Sequence, residues 1–475
     1  MRESVLRRAA AVAAVGAVIG GAGALLAPGA GADSSCGWQL EVSGAQVNAA
    51  FPDQAARYWV ANLPIPPGFH LEVARQFPHA RYISFITYDP ATRAIDGIHD
   101  TQIQPDSGST NPFQPGADRT ATPRNYTVHV VDGPPPKSGP ATNTVYTDNG
   151  QAPPNQKTAP HTAQLIYRVY EADQGLDETG GVGLPTISLV SDDGTQRQTL
   201  PTCPEHSLPS TQGLTDGLAG SGSGPGNDSV PSAELGGTNP PVWIRYTNAA
   251  DGVAAGVLDN PRTGAVWPAA QQTTNMLPSG GFYENVDNAY MTAFDTASYG
   301  DVLVFHGKAP TTPQTYLPAD TTMDGNCSSD TCQLRYWSMC SNMSSTQYLG
   351  CIKDDDPKLD ANGYYTVVIS TAANRPATAN ASCGIEWLPK GPLPSAPIIL
   401  RNMLPDPSFT QAIQDVPPGS NTEQQVLGPY YPNGYYFDHA TNFDQFVNAN
   451  GGCSGFSWPT TPPQTYQPPG LPGLG

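Results

Sequence analysis

Histidines lying close to carboxylates offer the first route to chemistry in this sequence. His99 and Asp100 adjoin in Ile98-His99-Asp100, with Asp106 shortly after, and such groups are the usual apparatus of general acid–base catalysis. Neighbours on a strand project to opposite faces, so His99 and Asp100 make no local dyad; a catalytic set built on them, or on His306, must be completed by the fold. No G-x-S-x-G elbow occurs. Its nearest form is Gly451-Gly452-Cys453-Ser454-Gly455, which lacks the preceding β-branched strand an elbow needs. No H-x-H occurs either, which removes a cupin-like metal site. His70-Leu71-Glu72 sets two polar side chains on one strand face, and a structural role is expected for them.

Calcium has a modest claim. Asp324, Asn326, Ser328 and Asp330 alternate oxygen ligands as a calcium loop does, without glycine at its sixth position or an acid at its twelfth. A second candidate is the run Asp354-Asp355-Asp356 with Asp360 and Asn362, and a solvated turn is the plainer reading of both. The expectation is no cofactor, with a structural calcium ion as the one candidate. For binding, the segment from Gly428 to His439 gathers Tyr430, Tyr431, Tyr435, Tyr436 and Phe437 beside turn residues. Sugars stack on exposed rings of this kind, while a buried loop is the competing explanation.

The elements that must position these groups are strands. Gly and Pro number 49 and 50 of 475 residues, only 13% of the chain is charged, and short β-branched or aromatic runs alternate with turn signals. Helical periodicity is scarce; its best stretch is Asp53 to Val60. Residues 206–239, rich in Gly, Ser and Pro, read as a linker, and 458–475 as a Pro-rich disordered tail.

The two sides of the linker repeat. Phe51–Pro78 aligns without a gap on Tyr283–Pro310, and Arg81-Tyr82-Ile83-Ser84 falls on Arg335-Tyr336-Trp337-Ser338 after an insertion near 311–333. The same register brings Asp100 onto Asp354, Tyr126-Thr127-Val128 onto Tyr365-Thr366-Val367, and Leu165-Ile166-Tyr167-Arg168 onto Ile398-Ile399-Leu400-Arg401. Colinear blocks of this kind mark a duplication. The expected fold is all-β: two tandem antiparallel, jelly-roll-like sandwiches over 36–205 and 240–457. Arg81 and Arg335 with Asp100 and Asp354, kept in both copies, read as a structural salt bridge.

Eight cysteines, none spaced C-x-x-C, suit an oxidising compartment. Cys36 and Cys203 flank the first domain and would staple it. Cys340 and Cys351 face each other across a turn; Cys327 with Cys332 would close a loop in the insertion, leaving Cys383 with Cys453.

Glu386-Trp387-Leu388-Pro389-Lys390-Gly391-Pro392, followed by Leu400-Arg401-Asn402-Met403-Leu404-Pro405, resembles the W-L-P…G-P…L-R-x-Y-x-P ending of an exported bacterial domain-of-unknown-function family. Met403 stands where that pattern has its final aromatic residue. The resemblance implies export and jelly-roll-like sandwiches and brings no established activity.

Export is also read from the first residues. Arg2, Arg7 and Arg8 precede an apolar stretch from Ala9 to Leu26, and Ala30-Gly31-Ala32 fits signal-peptidase cleavage before Asp33. Removing residues 1–32 takes away three arginines and Glu3, moving the charge from −19 to −21. Such a surface repels nucleic acid and anionic lipid, so neither is expected as a partner, and no later run is long enough to span a bilayer. The expectation is a secreted or cell-envelope protein, a non-catalytic binding or structural module for a polymer, glycan or protein ligand. The alternative is a secreted hydrolase whose histidines and carboxylates converge only in the fold.

Overall fold

The computed structural model describes residues 36–43, 48, 50–90, 92–150, 156–203, 237–245, 283–315, 332–343 and 347–466. The residues read as a signal peptide, nearly all of those read as a linker, and Cys327 with Asp324, Asn326, Ser328 and Asp330 lie outside these residues.

The first copy holds β1 (Leu40–Val42), β2 (Ala56–Pro64), β3 (Phe69–Gln76), β4 (Ala80–Tyr88), β5 (Ala94–His99), β6 (Asn125–Val131), β7 (Thr144–Tyr146), β8 (Thr162–Ala172), β9 (Thr186–Ser191) and β10 (Arg197–Thr199). The second holds β11 (Ile244–Arg245), β12 (Asn288–Thr296), β13 (Val302–Lys308), β14 (Leu334–Asn342), β15 (Tyr348–Lys353), β16 (Tyr364–Ser370), β17 (Glu386–Pro389), β18 (Ser395–Pro405) and β19 (Asn433–Phe437).

Sheet order repeats with the sequence. One sheet runs β1-β2-β8-β4-β5 and its counterpart β11-β12-β18-β14-β15; the other runs β10-β9-β3-β6-β7 and its counterpart β17-β16-β13-β19. The fold is all-β with a few short helices, and the chain crosses repeatedly between the two layers of each sandwich. One pair per copy departs from the antiparallel expectation: β6–β7 and β16–β17 are parallel. The helical reading of Asp53–Val60 is also corrected. Most of that stretch enters β2, where Trp59, Ala61 and Leu63 join the first domain's own core while Ala56, Tyr58 and Val60 line a second apolar layer. Apolar residues on both faces remove the period-2 signal that marks a half-exposed strand.

That second layer joins the two copies. On β4 and β8, Ile83, Phe85, Leu165, Tyr167 and Val169 face inward, whereas Tyr82, Ile86, Tyr88, Ile166 and Tyr170 meet Tyr283, Tyr336 and Met403 of the second copy. The β1-β2-β8-β4-β5 and β11-β12-β18-β14-β15 sheets thus pack back to back, leaving the other two sheets outermost. Each fully buried large side chain in such a layer contributes about 1.5–3 kcal/mol.

Disulfides join Cys36 to Cys203, Cys340 to Cys351 and Cys383 to Cys453. The tail reading needs correction up to Tyr466: Trp458 stacks on His306 with centroids 4.4 Å apart, and Tyr466 donates its N–H to the Tyr436 carbonyl at 2.8 Å. Aromatic burial outweighs the proline content there. Among the described residues, no helix is long and apolar enough to cross a membrane.

Candidate functional site at the junction of the two copies

The residues kept by the duplication meet each other across it. Arg81 donates to Asp354 Oδ2 at 2.7 Å, and Arg335 donates to Asp100 Oδ1 at 3.3 Å. Each of these arginines also reaches the other's backbone carbonyl, at 3.4 and 3.3 Å. Arg168 Nη2 donates to the Tyr283 carbonyl at 2.7 Å, and its equivalent Arg401 donates to the Phe51 carbonyl, also at 2.7 Å. The Tyr58 hydroxyl accepts from Asp53 N–H as that of Tyr290 accepts from Asn285 N–H. The junction has an approximate two-fold relation, and the Arg–Asp salt bridge read from the sequence is exchanged between copies.

The two halves differ in charge. Arg81 is wholly buried and also pairs with Glu171 at 2.8 Å and Asp355 at 2.9 Å, while Lys353 reaches Glu171 at 2.7 Å. Three carboxylates share two cations. Burial pushes the Asp354 carboxyl up to about 8 against the pull of Arg81, and lifts Asp355 to about 6. Burial opposes ionisation of Glu171 as well, but Arg81 and Lys353 outweigh it and hold its pKa below the usual value. Asp354 and Asp355 are therefore not solvated, whereas Asp356 and Asn362 are exposed in turns, as the sequence reading expects. Asp354, Asp355 and Glu171 face Arg81 and Lys353.

The catalytic candidates disperse. His99 Nδ1 lies 3.2 Å from Asp287 Oδ2, an atom that also accepts from the Tyr82 hydroxyl at 2.6 Å. Burial opposes charging of the ring, but Asp287 and Asp100 outweigh it and raise the pKa. Among the described residues this His–Asp pair has no Ser, Thr or Cys hydrogen-bonded to its ring. Asp100 is buried, accepting from the N–H groups of Ile83 and Thr101 at 3.0 and 2.7 Å. Asp106 accepts from Thr127 Oγ1 at 3.3 Å. His306 lies in the second domain's outer sheet, between the rings of Tyr364 and Trp458, and burial lowers its pKa to about 4. Cys453 is bonded to Cys383, so the Gly451–Gly455 segment carries no free thiol.

The aromatic segment is corrected too. Tyr430, Tyr431 and Tyr436 belong to the second domain's core, and only Tyr435 is half-buried, against Trp458. Alternation along β19 turns Tyr436 inward and Tyr435 outward, so the tyrosines do not share one exposed face.

A pocket of about 50 Å³ lies on the approximate two-fold. Its lining includes the equivalent pairs Tyr58 and Tyr290, Ile166 and Ile399, and Arg168 and Arg401, together with Asn285 and Glu284. Arg401 has Asp53 at 3.9 Å, but the residue equivalent to Asp53 in the second copy is Asn285. Arg168 therefore lacks a carboxylate partner. Its Nε and Nη1 have no acceptor, and neither does Asn285 Nδ2 have one. Its electrostatic neighbours are the neutral hydroxyls of Tyr88, Tyr170, Tyr58 and Tyr82, with the rings of Tyr88 and Tyr58 5.3 and 5.5 Å from the guanidinium carbon. Sequence reasoning passed over Arg168 and Asn285, although the Asp53-to-Asn285 change was visible in the repeat.

No family model and no curated protein matches the chain, so the family resemblance rests on its motifs alone. Among solved structures it is similar to an uncharacterized protein from Burkholderia cenocepacia, at 13% identity over 82% of this chain and 84% of that one, with a TM-score of 0.41. It is also similar to a Vibrio parahaemolyticus protein, at 11% identity over 81% of this chain and 89% of that one, with a TM-score of 0.35. At these scores neither likeness carries a function to this chain.

Proposed function

We propose that this protein is an exported, non-catalytic binding module of the envelope or extracellular space, whose two copies act as one body and whose shared pocket takes the anionic tip of a polymer or protein ligand. The observation that carries this reading is the buried Arg168 guanidinium, with unpartnered Nε and Nη1 beside the unpartnered Asn285 Nδ2. Leaving buried donors without acceptors costs about 1–3 kcal/mol each, more when charged, and an anionic oxygen in the pocket would recover that. The pocket is small, so it would hold one carboxylate or a comparable group while the rest of the ligand lies outside. The His99–Asp287 pair supports no turnover on this reading, because both groups serve the junction.

The test uses the purified mature chain on immobilised acidic and neutral envelope glycans, beside a panel of ester substrates. Retention of carboxylate-bearing glycans, lost in Arg168→Met with the thermal midpoint unchanged, is the expected result. Equal retention by Arg168→Met would overturn the pocket assignment, and ester turnover abolished in His99→Ala would overturn the non-catalytic reading.

A further inference from the structure

The outer face of the first domain gathers a separate set of ligating groups. His70 and Glu72 project from the same face of β3, and the β3–β6 register places Glu72 directly opposite His129. One ligand atom from each of the three residues lies within 4.8 Å of the other two, with His70 Nε2 and Glu72 Oε1 3.7 Å apart. A tetrahedral site with metal–nitrogen bonds near 2.0 Å needs its ligand atoms about 3.3 Å apart, a gap that small side-chain rotations close.

Two further observations point to a ligand. His70 turns Nδ1 to Asp192 Oδ1 at 3.1 Å, which fixes the ring and leaves Nε2 facing Glu72 and His129. A carboxylate behind a ligating imidazole is the usual support of a metal-bound histidine. Arg197 meanwhile holds the other oxygen of Glu72, leaving Oε1 toward the histidines. In addition, the duplication supplies an internal control. The equivalent positions in the second copy are Val302, Val304 and Val368, and all three lie buried beneath Phe443 and Val447 of the helix Ala440–Ala449. Two residues of β3 and one of β6 thus change together from an apolar patch under a helix to His, Glu and His, all half-buried.

We propose that His70, Glu72 and His129 bind one divalent transition-metal ion, zinc foremost, with water completing the coordination. Two imidazoles and one carboxylate suit zinc or cobalt and suit calcium poorly. Asp192 is a positioning residue for His70. The site lies on the first domain's outer sheet, whereas Arg168 lies on the sheet at the junction, so it stands independently of the pocket reading.

Untagged mature protein is titrated with Zn²⁺ by calorimetry and with Co²⁺ by visible absorption. One equivalent is expected, with the intense absorption of four-coordinate cobalt. Glu72→Gln/His129→Asn should abolish both signals and the zinc-induced rise in thermal midpoint, while its metal-free midpoint matches wild type. Asp192→Asn should weaken binding about 10-fold or more, and Arg168→Met should leave it intact. No stoichiometric binding by wild type, or unchanged cobalt absorption in the double variant, would overturn the assignment.

Discussion

Removing one charge at the junction should separate two arginines that the duplication treats as equivalents. Arg81→Met strands the buried Asp354 together with Asp355, and leaves Glu171 with Lys353 alone. Breaking a buried ion pair by deleting one partner costs about 3–5 kcal/mol. Arg335→Met leaves Asp100 with its two backbone N–H donors and should cost about 1–2 kcal/mol. Asp354→Asn should cost under about 1 kcal/mol at pH 7, because three carboxylates facing Arg81 and Lys353 are balanced when Asp354 holds a proton. The pH dependence follows. With its pKa raised to about 8 in the folded chain, Asp354 binds more protons folded than unfolded above the ordinary aspartate value of about 3.9. Its contribution to stability therefore falls as pH rises toward 8, and Asp355, raised to about 6, adds to the earlier part of that decline. Glu171, shifted downward, acts oppositely: its contribution is present above the ordinary glutamate value and is lost only as acid protonates it. Urea midpoints between pH 5 and 8, followed by near-ultraviolet circular dichroism of the buried tyrosines, read all of this. Wild type should lose stability across that range and Asp354→Asn should lose less. Equal costs for Arg81→Met and Arg335→Met, or an unaltered slope in Asp354→Asn, would refute the reasoning.

Two other outcomes are expected. Cys36–Cys203 closes a span of 167 residues and Cys340–Cys351 one of 11, so chain entropy assigns about 5 and 3 kcal/mol respectively; paired Cys→Ser variants compared in urea check the order. Tyr436→Ala should cost about 3–5 kcal/mol by emptying the second core, whereas Tyr435→Ala should cost less than half as much; near-equal thermal shifts would contradict the burial described for β19.

The strands and their duplication were legible because turn residues and apolar runs recur in the same order. The layers that meet were not. A repeat aligned on itself shows that Arg81 and Arg335 correspond, as do Asp100 and Asp354, but the alignment is identical whether they pair within a copy or between copies. Doubly apolar strands such as β2 hid a second reason: a face buried against the other copy looks, in sequence, like a face buried in its own domain. His129 shows what could have been found. The Tyr126–Tyr365 register sets it on Val368 just as His70 and Glu72 fall on Val302 and Val304, and all three differences lie in the sequence itself. The tyrosine-rich segment misled because composition supplies rings without saying which way alternate residues face.

Carrying both halves of a reciprocal junction on one chain changes what selection and mass action can do to it. Two separate chains meeting through identical surfaces would come apart on dilution, and any substitution would alter both sides at once. Here the halves meet at an effective concentration set by the tether, however scarce the protein becomes. Each side also drifts alone: one arginine has gathered three acids while its twin kept one, and one central arginine has an aspartate nearby where the other faces an asparagine. A geometry that began as matched halves has become free to hold a polarity, with a positive charge left uncovered on one side of its own axis.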